Sequence, residues 1–309
     1  MSLITPKKVL ILGGASKAAV NGLVPKFDEM ARLFYGKDHG IALLGADIEG
    51  KTEELHHHYG VNGHILDVTQ TEKGWDILDG VDVVFNAVMA PHLDDEPYPI
   101  TAERIHEGGT KNLLHFAELY GVRRIVHFST FSVYSDPLYR DIDGLTEDLE
   151  KFPPAQFKGD EYGSSKWKQE LILMEHVAKA IEDGKKPIEI AVGVHMGITS
   201  TVFPSWEQRV DEFKERKKFE AEHLGEPIDH FNHHTHVLDV GQCNYRLAFC
   251  RRKVVFSDQS FPFERYFCTQ RNRANTWSID KALDPLRLGY DPEYSFDKEW
   301  DKSGTVARN

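Results

Sequence analysis

The stretch VLILGGASKAAVNG, residues 9–22, decides how the chain begins to fold. Its apolar run ends at Gly13–Gly14, and a longer helical pattern follows, which predicts a strand, a tight turn and a helix. Glycines permit such a turn, and small side chains let backbone amides at a helix N-terminus approach a pyrophosphate. Ser16 and Ala19 stand where phosphate-binding loops usually carry glycine. The stretch therefore predicts the scaffold, and a dinucleotide site only if other residues support it.

The first two-thirds of the chain alternates short β-branched runs with longer amphipathic segments. This alternation is typical of a parallel sheet covered by helices on both faces. We therefore predict an α/β fold, a Rossmann-type doubly wound parallel sheet, with a binding crevice at the carboxyl ends of its strands. The predicted strands are Val9–Leu12, Ile41–Leu44, Gly63–Leu66, Asp82–Asn86, Arg124–Ser129 and Ile188–Val194, and the predicted helices include Val24–Tyr35, Ala102–Leu119 and Ser165–Ile181.

The pattern changes after Gly197, where charged and then aromatic-rich segments replace the regular alternation. We predict a dinucleotide-binding Rossmann domain over residues 1–198 and a smaller C-terminal substrate-binding lobe over residues 199–309. The lobe is expected to be discontinuous, because a helical pattern at residues 233–253 reads as an element that packs back on the first domain.

Charge and hydropathy exclude two kinds of partner. A net charge of -12 at pH 7 argues against nucleic acid, whose phosphates an acidic surface repels. No window approaches the roughly 20 apolar residues that a membrane helix needs. The N-terminus shows neither a signal peptide nor a transit peptide, so we expect a cytoplasmic protein that acts on a small molecule.

The cysteines and histidines form no recognisable metal or disulfide pattern. The three cysteines, Cys243, Cys250 and Cys268, are an odd and sparse set without a CxxC pair, which favours reduced thiols. The histidines bunch at residues 56–58 and 230–236, which read as a polar helix end and a loop entering a helix. No metal site is predicted.

Two aspartates and a lysine bear on the choice of dinucleotide. Asp47 follows the second predicted strand, where a carboxylate accepts hydrogen bonds from an adenosine ribose and repels a 2′-phosphate, which favours NAD over NADP. It lies 34 residues beyond Gly13, although the usual gap is about 20 residues, so an insertion within 27–40 is expected. Lys17 could instead attract the phosphate of NADP. Asp67 ends the third strand and is placed to bind adenine, or simply to form the turn before Thr69.

The segment EYGSSKWKQE, residues 161–170, carries the chemistry. Tyr162 and Lys166 are four residues apart and project from one face of a helix. An ammonium beside a phenol favours the phenolate, which can accept the proton of a substrate hydroxyl while hydride leaves its carbon. Upstream, a strand ends in Ser129–Thr130, and a hydroxyl there can hold the substrate oxygen. The three residues predict a hydride-transferring site with Thr130, Tyr162 and Lys166 as catalytic residues.

These motifs together resemble the extended short-chain dehydrogenase/reductases, the family of NAD-dependent sugar epimerases, dehydratases and sugar dehydrogenases. The resemblance spans nearly the whole chain, with the motifs in the same order as in the family. The C-terminal motif LGYDPEYSF is similar to that of uronate dehydrogenases. The matching segments are GGASKAA, LDVTQ, VDVVFNAVMA, EGGTKNLLHFA, VRRIVHFSTFSVYSD, LTEDL, YGSSKWKQE, HTHVLDV and LDPLRLGYDPEYSF.

The resemblance implies a role for each matching residue. Tyr162 becomes the acid/base, Lys166 its activator and a ligand of the nicotinamide ribose, and Thr130 the hydroxyl that orients the substrate. NAD is the implied cofactor, with NADP as the alternative. The implied cofactor-binding set is Gly13, Ser16, Lys17, Ala18, Asp47, Asp67, Val68, Asn86, Ala87, Val88, Tyr162 and Lys166.

The sequence also departs from the family pattern. Phe131–Ser132 follow Thr130 where dehydratases carry Asp-Glu, which disfavours dehydration. Gly193-Val194-His195 replaces a usual Arg-Pro, and His106 stands where an asparagine commonly supports the active-site helix.

We therefore expect an NAD(P)-dependent oxidoreductase acting on a sugar or sugar derivative, with an NAD-dependent sugar epimerase as the alternative. A rival from another class is a non-catalytic dinucleotide-binding or redox-sensing protein, motivated by the altered glycine loop. Acidic residues 94–96 near the predicted pocket would favour a neutral sugar if they face inward, and a uronate would need Arg209 or Arg265. The resemblance also implies a homodimer formed through the helices at 102–119 and 165–181.

Overall fold

The computed structural model describes residues 5–134, 145–147, 161–195, 198, 207–208, 210–211, 214–215, 235–270 and 278–295. One seven-stranded sheet organises the described residues, in the order β3-β2-β1-β4-β5-β6-β7, and every neighbouring pair is parallel. The strands are β1 (Lys8–Leu12), β2 (Ala42–Asp47), β3 (Gly63–Ile65), β4 (Val83–Asn86), β5 (Arg124–Thr130), β6 (Glu189–His195) and β7 (Phe263–Phe267). The predicted Rossmann-type fold is confirmed.

Helices cover both faces of this sheet. They are α1 (Val24–Tyr35), α2 (Thr52–Tyr59), α3 (Tyr98–Ala102), α4 (Gly109–Tyr120), α5 (Glu161–Glu182), α6 (Val237–Phe249), α7 (Arg252–Val255) and α8 (Asp280–Leu283). Two π-helical turns, Ala19–Leu23 and Glu103–Gly108, lead directly into α1 and α4. Among the described helices, none is long and apolar enough to cross a membrane.

The side chains of β1 show how the two layers form. Leu10 and Leu12 point into one core with residues of α4 and α5, whereas Val9 and Ile11 point into the other with residues of α1 and α6. Successive residues of a strand face opposite sides, so a strand buried on both faces must be apolar throughout. The sheet order reverses direction between β1 and β4, which opens a crevice at their carboxyl ends.

Helix α6 packs directly against the start of α1 through two glycines. A Cβ atom on Gly241 would lie 2.3 Å from the carbonyl oxygen of Gly22, and one on Gly22 would lie 2.5 Å from the carbonyl oxygen of Val237. The buried Arg124 donates to the carbonyls of Leu247, Ala248 and Cys250 at the end of the same helix. The C-terminal part of the chain thus covers the sheet, while the division into two domains stays a prediction because most of residues 199–234 lie outside the described set.

Two sequence-based expectations require correction. No strand is predicted beyond Val194, but the segment after residue 254 supplies β7, a seventh strand parallel to β6. The expectation of three reduced thiols is wrong for two of them, since Cys243 on α6 and Cys268 after β7 form a disulfide and only Cys250 is free. No spacing in the sequence predicts this disulfide, because only the tertiary fold places Cys243 on α6 beside Cys268 after β7.

Candidate active site

The crevice begins at Gly13, directly after β1. Its φ of +74° lies in the left-handed region that glycine tolerates and other residues rarely adopt. A Cβ atom there would sit 2.7 Å from the carbonyl oxygen of Ala87, so the turn and the end of β4 touch backbone to backbone. Gly13 and Ala87, both predicted cofactor ligands, therefore lie side by side at the point where the sheet order reverses.

Gly13→Ala is expected to abolish dinucleotide binding, because the added methyl group must push the turn away from Ala87 and out of its left-handed conformation. Titration with reduced dinucleotide, followed by its fluorescence, measures the effect. Gly50→Ala is the matched control, since a Cβ atom at Gly50 meets nothing within 4 Å. Equal binding by the two variants would contradict the assignment of Gly13.

The later positions of the loop keep a compact turn despite the missing glycines. The Ser16 amide donates to the Gly13 carbonyl at 3.0 Å, and the Ser16 hydroxyl accepts the amide of Ala19 at 3.3 Å. Lys17 is exposed and Ala18 half-buried on the turn that opens toward the crevice. Ser16 thus closes the turn with its own amide and hydroxyl at a position where such loops usually carry glycine.

Asp47, the last residue of β2, lies beside the same turn. One carboxylate oxygen accepts the amide of Ala15 at 3.0 Å and the other accepts the amide of Ile48 at 2.8 Å. Burial raises the pKa of this carboxyl above its ordinary value, opposed by these two amides and by Lys51. The long sequence gap is accounted for by the π-helical turn Ala19–Leu23, α1 and the loop that follows it. The structure thus places Asp47 at the end of β2 beside the turn after β1, and its contact with an adenosine ribose stays a prediction.

The remaining predicted cofactor residues form the floor of the crevice. Val68, Asn86 and Val88 line one narrow cleft beside the N-terminus of α4. Asn86 is buried and its side-chain amide lies 3.3 Å from Nδ1 of His127 on β5. Asp67 accepts both the amide and the hydroxyl of Thr69. Burial acts to raise the pKa of Asp67, but these bonds, together with Gln70 and Arg104, hold it below the ordinary value. Asp67 therefore forms its own turn, which was one of its two predicted roles.

Tyr162 and Lys166 both lie on the first turns of α5, but they differ in burial and in hydrogen-bond partners. Tyr162 is half-buried, and its hydroxyl donates toward the sulfur of Met89 at 3.7 Å. Lys166 is only 1% exposed, and its ammonium has no hydrogen-bond partner among the described residues. Burial lowers the pKa of Lys166 to about 7, with the carboxylate of Glu170 opposing the shift. A buried ammonium without acceptors is suited to a ligand that brings hydroxyl groups.

Thr130 ends β5 at the same edge of the sheet. It is half-buried, and its hydroxyl oxygen accepts the amide of Ser132 at 3.2 Å, which leaves the hydroxyl proton for another acceptor. The neighbouring Ser129 points the other way and donates to the carboxylate of Glu170. Thr130, rather than Ser129, is therefore the hydroxyl available to a bound substrate.

Two residues considered as determinants of substrate charge have other partners. Arg265 is buried, with its Nε 2.7 Å from a carboxylate oxygen of Glu170, so it cannot serve as a ligand for a uronate. Glu96 accepts the hydroxyl of Thr101 at 2.6 Å and the guanidinium of Arg104 at 2.7 Å, so its charge is already paired. Arg209 lies outside the described residues.

Sequence reasoning missed Met89 and His127 and treated His106 only as a departure from the family pattern. Met89 is 49% exposed in the loop after β4, and a methionine that contacts the Tyr162 hydroxyl leaves no periodic signal in the sequence. His127 is fully buried beside Asn86, and burial lowers its pKa well below the ordinary value. A buried histidine in an apolar strand is the signal that could have marked it. Within the described ranges, no group of side chains could hold a metal ion.

Solved structures show the same fold at low sequence identity. A mutated uronate dehydrogenase is 15% identical, with 98% of this chain and 88% of that chain covered and a TM-score of 0.57. UDP-glucuronic acid 4-epimerase from Bacillus cereus, in complex with NAD, is 15% identical, with 94% of each chain covered and a TM-score of 0.60. DesIV, a dTDP-glucose 4,6-dehydratase from Streptomyces venezuelae with NAD bound, is 17% identical, with 96% and 95% covered and a TM-score of 0.62.

No curated protein matches the sequence. Residues 29–182, from α1 to the end of α5, match the model of the NAD dependent epimerase/dehydratase family. This match includes the Tyr162–Lys166 pair, and it agrees with the sheet order and with the family that the motifs resemble. The chain therefore belongs to the NAD dependent epimerase/dehydratase family.

Proposed function

We propose that this protein is an NAD(P)-dependent oxidoreductase that transfers hydride between a nicotinamide and a hydroxyl carbon of a sugar or sugar derivative. The observation that carries the proposal is Lys166, a buried ammonium without a hydrogen-bond partner among the described residues, one helical turn from the Tyr162 phenol. Gly13 and Asp47 at the other end of the crevice complete the set of residues that would hold a dinucleotide.

Each residue has a defined task in this proposal. A bound nicotinamide supplies the hydride acceptor, or the donor in the reverse direction. Tyr162 as phenolate takes the proton from the substrate hydroxyl as the carbon loses hydride, so the alcohol becomes a carbonyl. Lys166 stabilises the phenolate by its charge and binds the nicotinamide ribose. Thr130 donates a hydrogen bond to the substrate oxygen and holds it beside the phenol.

The chain lacks the groups that elimination of water requires next to Thr130. Phe131 and Ser132 follow it, and Phe131 is buried in the core, so neither provides a general acid or base there. This arrangement favours oxidation of the substrate, or epimerisation through a keto intermediate, over dehydration.

The test is incubation of the protein with NAD or NADP and a panel of aldoses, uronic acids and nucleotide sugars. Accumulation of reduced nicotinamide, followed by absorbance, is the expected result for a dehydrogenase. Appearance of a stereoisomer without net reduction would identify the epimerase instead. Dinucleotide binding without turnover of any compound would contradict the proposal and favour a binding or sensing protein.

Asp47 is expected to favour NAD, because a carboxylate repels the 2′-phosphate of NADP. Asp47→Asn removes the charge and should lower the ratio of the NADPH and NADH dissociation constants about tenfold or more, since one charge contact is worth about 1–2 kcal/mol. Fluorescence titration with both reduced dinucleotides measures the ratio. Asp67→Asn is the control, because Asp67 forms its own turn with Thr69. An unchanged ratio in the Asp47 variant would point to Lys17 as the determinant.

We also propose a cytoplasmic homodimer that assembles through α4 and α5. Leu119 on α4 is 67% exposed and Ile181 on α5 is 39% exposed, which gives both helices apolar side chains at their outer ends. Sedimentation analysis of the protein and of a Leu119→Glu variant tests the interface, with a shift of the variant to monomer as the expected result.

A further inference from the structure

His106 is the one polar side chain of the π-helical turn Glu103–Gly108 that is fully buried. A π-helical turn admits one extra residue per turn, and such turns occur often at functional sites. Here the turn aims the imidazole inward, between the loop after β4 and the first turns of α5. Burial, and then the charge of Lys166, lower the pKa of His106 to about 2, so the ring is neutral.

Both ring nitrogens of His106 form hydrogen bonds, one with the loop after β4 and the other with α5. Nε2 lies 2.8 Å from the backbone nitrogen of Ala90 and must accept its proton. Nδ1 lies 3.0 Å from the hydroxyl oxygen of Ser165. That hydroxyl in turn donates to the carbonyl of Tyr162 at 2.8 Å. The tautomer follows from these contacts, because a neutral ring that accepts at Nε2 carries its proton on Nδ1 and donates it to Ser165.

These bonds form a continuous chain that we call the His106 bridge, made of Ala90, His106, Ser165 and the backbone of Tyr162. Ala90 directly follows Met89, whose sulfur contacts the Tyr162 hydroxyl. The bridge thus joins the two elements that meet at the phenol, one through a backbone amide and the other through a backbone carbonyl. Gln169, one turn further along α5, donates to the His106 carbonyl at 3.2 Å and adds a second contact between α5 and the π-helical turn.

We infer that His106 is a positioning residue, which sets the location of the Tyr162 hydroxyl relative to the loop after β4 by tying Ala90 to the backbone of Tyr162. Its consequence for catalysis rests on the proposed function, whereas its geometry does not. A reacting group displaced by about 1 Å can lose up to about a hundredfold in rate. Loss of the bridge should therefore slow the chemical step and leave dinucleotide binding nearly intact.

The geometry is tested in the free protein by nitrogen-15 NMR of histidine-labelled chain. The expected result is a His106 signal with a protonated Nδ1 and an unprotonated Nε2 that does not titrate between about pH 6 and 9. Hydrogen exchange should show a protected Ala90 amide in the wild-type protein and an unprotected one in His106→Leu, which has no acceptor. A protonated Nε2, or an Ala90 amide that exchanges equally in both proteins, would overturn the inference whether or not the protein turns over a substrate.

The catalytic consequence is tested with Ser165→Ala, which removes the link to Tyr162 but keeps the imidazole in place. We expect kcat to fall about 10- to 100-fold, KM for the dinucleotide to change less than about twofold, and the primary deuterium isotope effect on kcat to rise. Ser164→Ala on the same turn is the matched control. Unchanged kcat and isotope effect in Ser165→Ala would overturn the inference. Absence of turnover in the wild-type protein, with the expected NMR result, would instead contradict the proposed function alone.

Discussion

Tyr162→Phe is expected to lower turnover by about 10²- to 10⁴-fold, the usual contribution of a positioned acid or base. The variant keeps the ring but loses the hydroxyl that exchanges a proton with the substrate oxygen. Dinucleotide affinity should stay within about tenfold, since the loss of one hydrogen bond changes binding by about 0.5–1.5 kcal/mol at most. Steady-state rates and fluorescence titration of the same preparation separate the two effects.

A tyrosine outside the crevice provides the control for this substitution. Tyr120 ends α4 and is half-buried against the core, so Tyr120→Phe changes the same atoms without touching the site. It should retain the wild-type rate. If Tyr162→Phe also retained that rate, the phenol would not be the acid/base and the proposed mechanism would be wrong.

Lys166→Met is expected to stabilise the free protein while it abolishes turnover. Burial lowers the pKa of Lys166 from 10.5 to about 7 in the folded protein, so the folded state holds the proton less tightly than the unfolded state does. A shift of this size corresponds to a destabilisation of about 5 kcal/mol below about pH 7, where the ammonium is charged in both states. Methionine has similar length and no charge, so the variant avoids this cost.

The difference in stability between Lys166→Met and the wild-type protein is expected to change with pH in one direction. Between about pH 7 and 10.5 the unfolded chain binds more protons at Lys166 than the folded chain, so the wild-type protein gains stability from this group as pH rises. The stability advantage of Lys166→Met should therefore shrink toward zero as pH approaches 10.5. Urea unfolding of both proteins across this range measures it. Lys168→Met, at an exposed lysine paired with Glu107, should change stability by about 1 kcal/mol or less.

An advantage of Lys166→Met that is absent at neutral pH, or independent of pH, would show that the ammonium is solvated in the free protein.

The burial of the Lys166 ammonium also predicts how protons are exchanged when a dinucleotide binds. Hydroxyl groups of a bound ribose would give the ammonium its missing acceptors and raise the pKa of Lys166, so dinucleotide binding above about pH 7 should take up a proton. Calorimetric titration in buffers of different ionisation enthalpy detects that uptake.

Much of the fold was predictable because parallel strands buried on both faces are apolar throughout, as in residues 9–12 and 188–194. Strand β7 was missed for a physical reason. Its charged residues Glu264 and Arg265 find partners far along the chain, in Lys281 and Glu170, so the strand is buried although its sequence is not apolar. Only the tertiary structure reveals that these charges are paired.

Some residues of the candidate site were likewise predictable from the sequence, and others were not. Gly13, Asp47, Tyr162 and Lys166 could be found from the sequence, because their chemistry depends on residue type and on position after a strand or along a helix. His106 could not be understood in that way, because a π-helical turn changes which side of the helix a residue faces. The partners of Arg265 and Glu96 depend likewise on contacts across the fold rather than on spacing.

The most direct test of the central claim is a crystal structure of the protein with NAD bound. We expect the nicotinamide ring beside the Tyr162 hydroxyl, the adenosine ribose at Asp47, and the Lys166 ammonium within hydrogen-bond distance of the nicotinamide ribose. A nicotinamide ring out of reach of the phenol, or a Lys166 ammonium that still lacks a partner in the complex, would contradict the account.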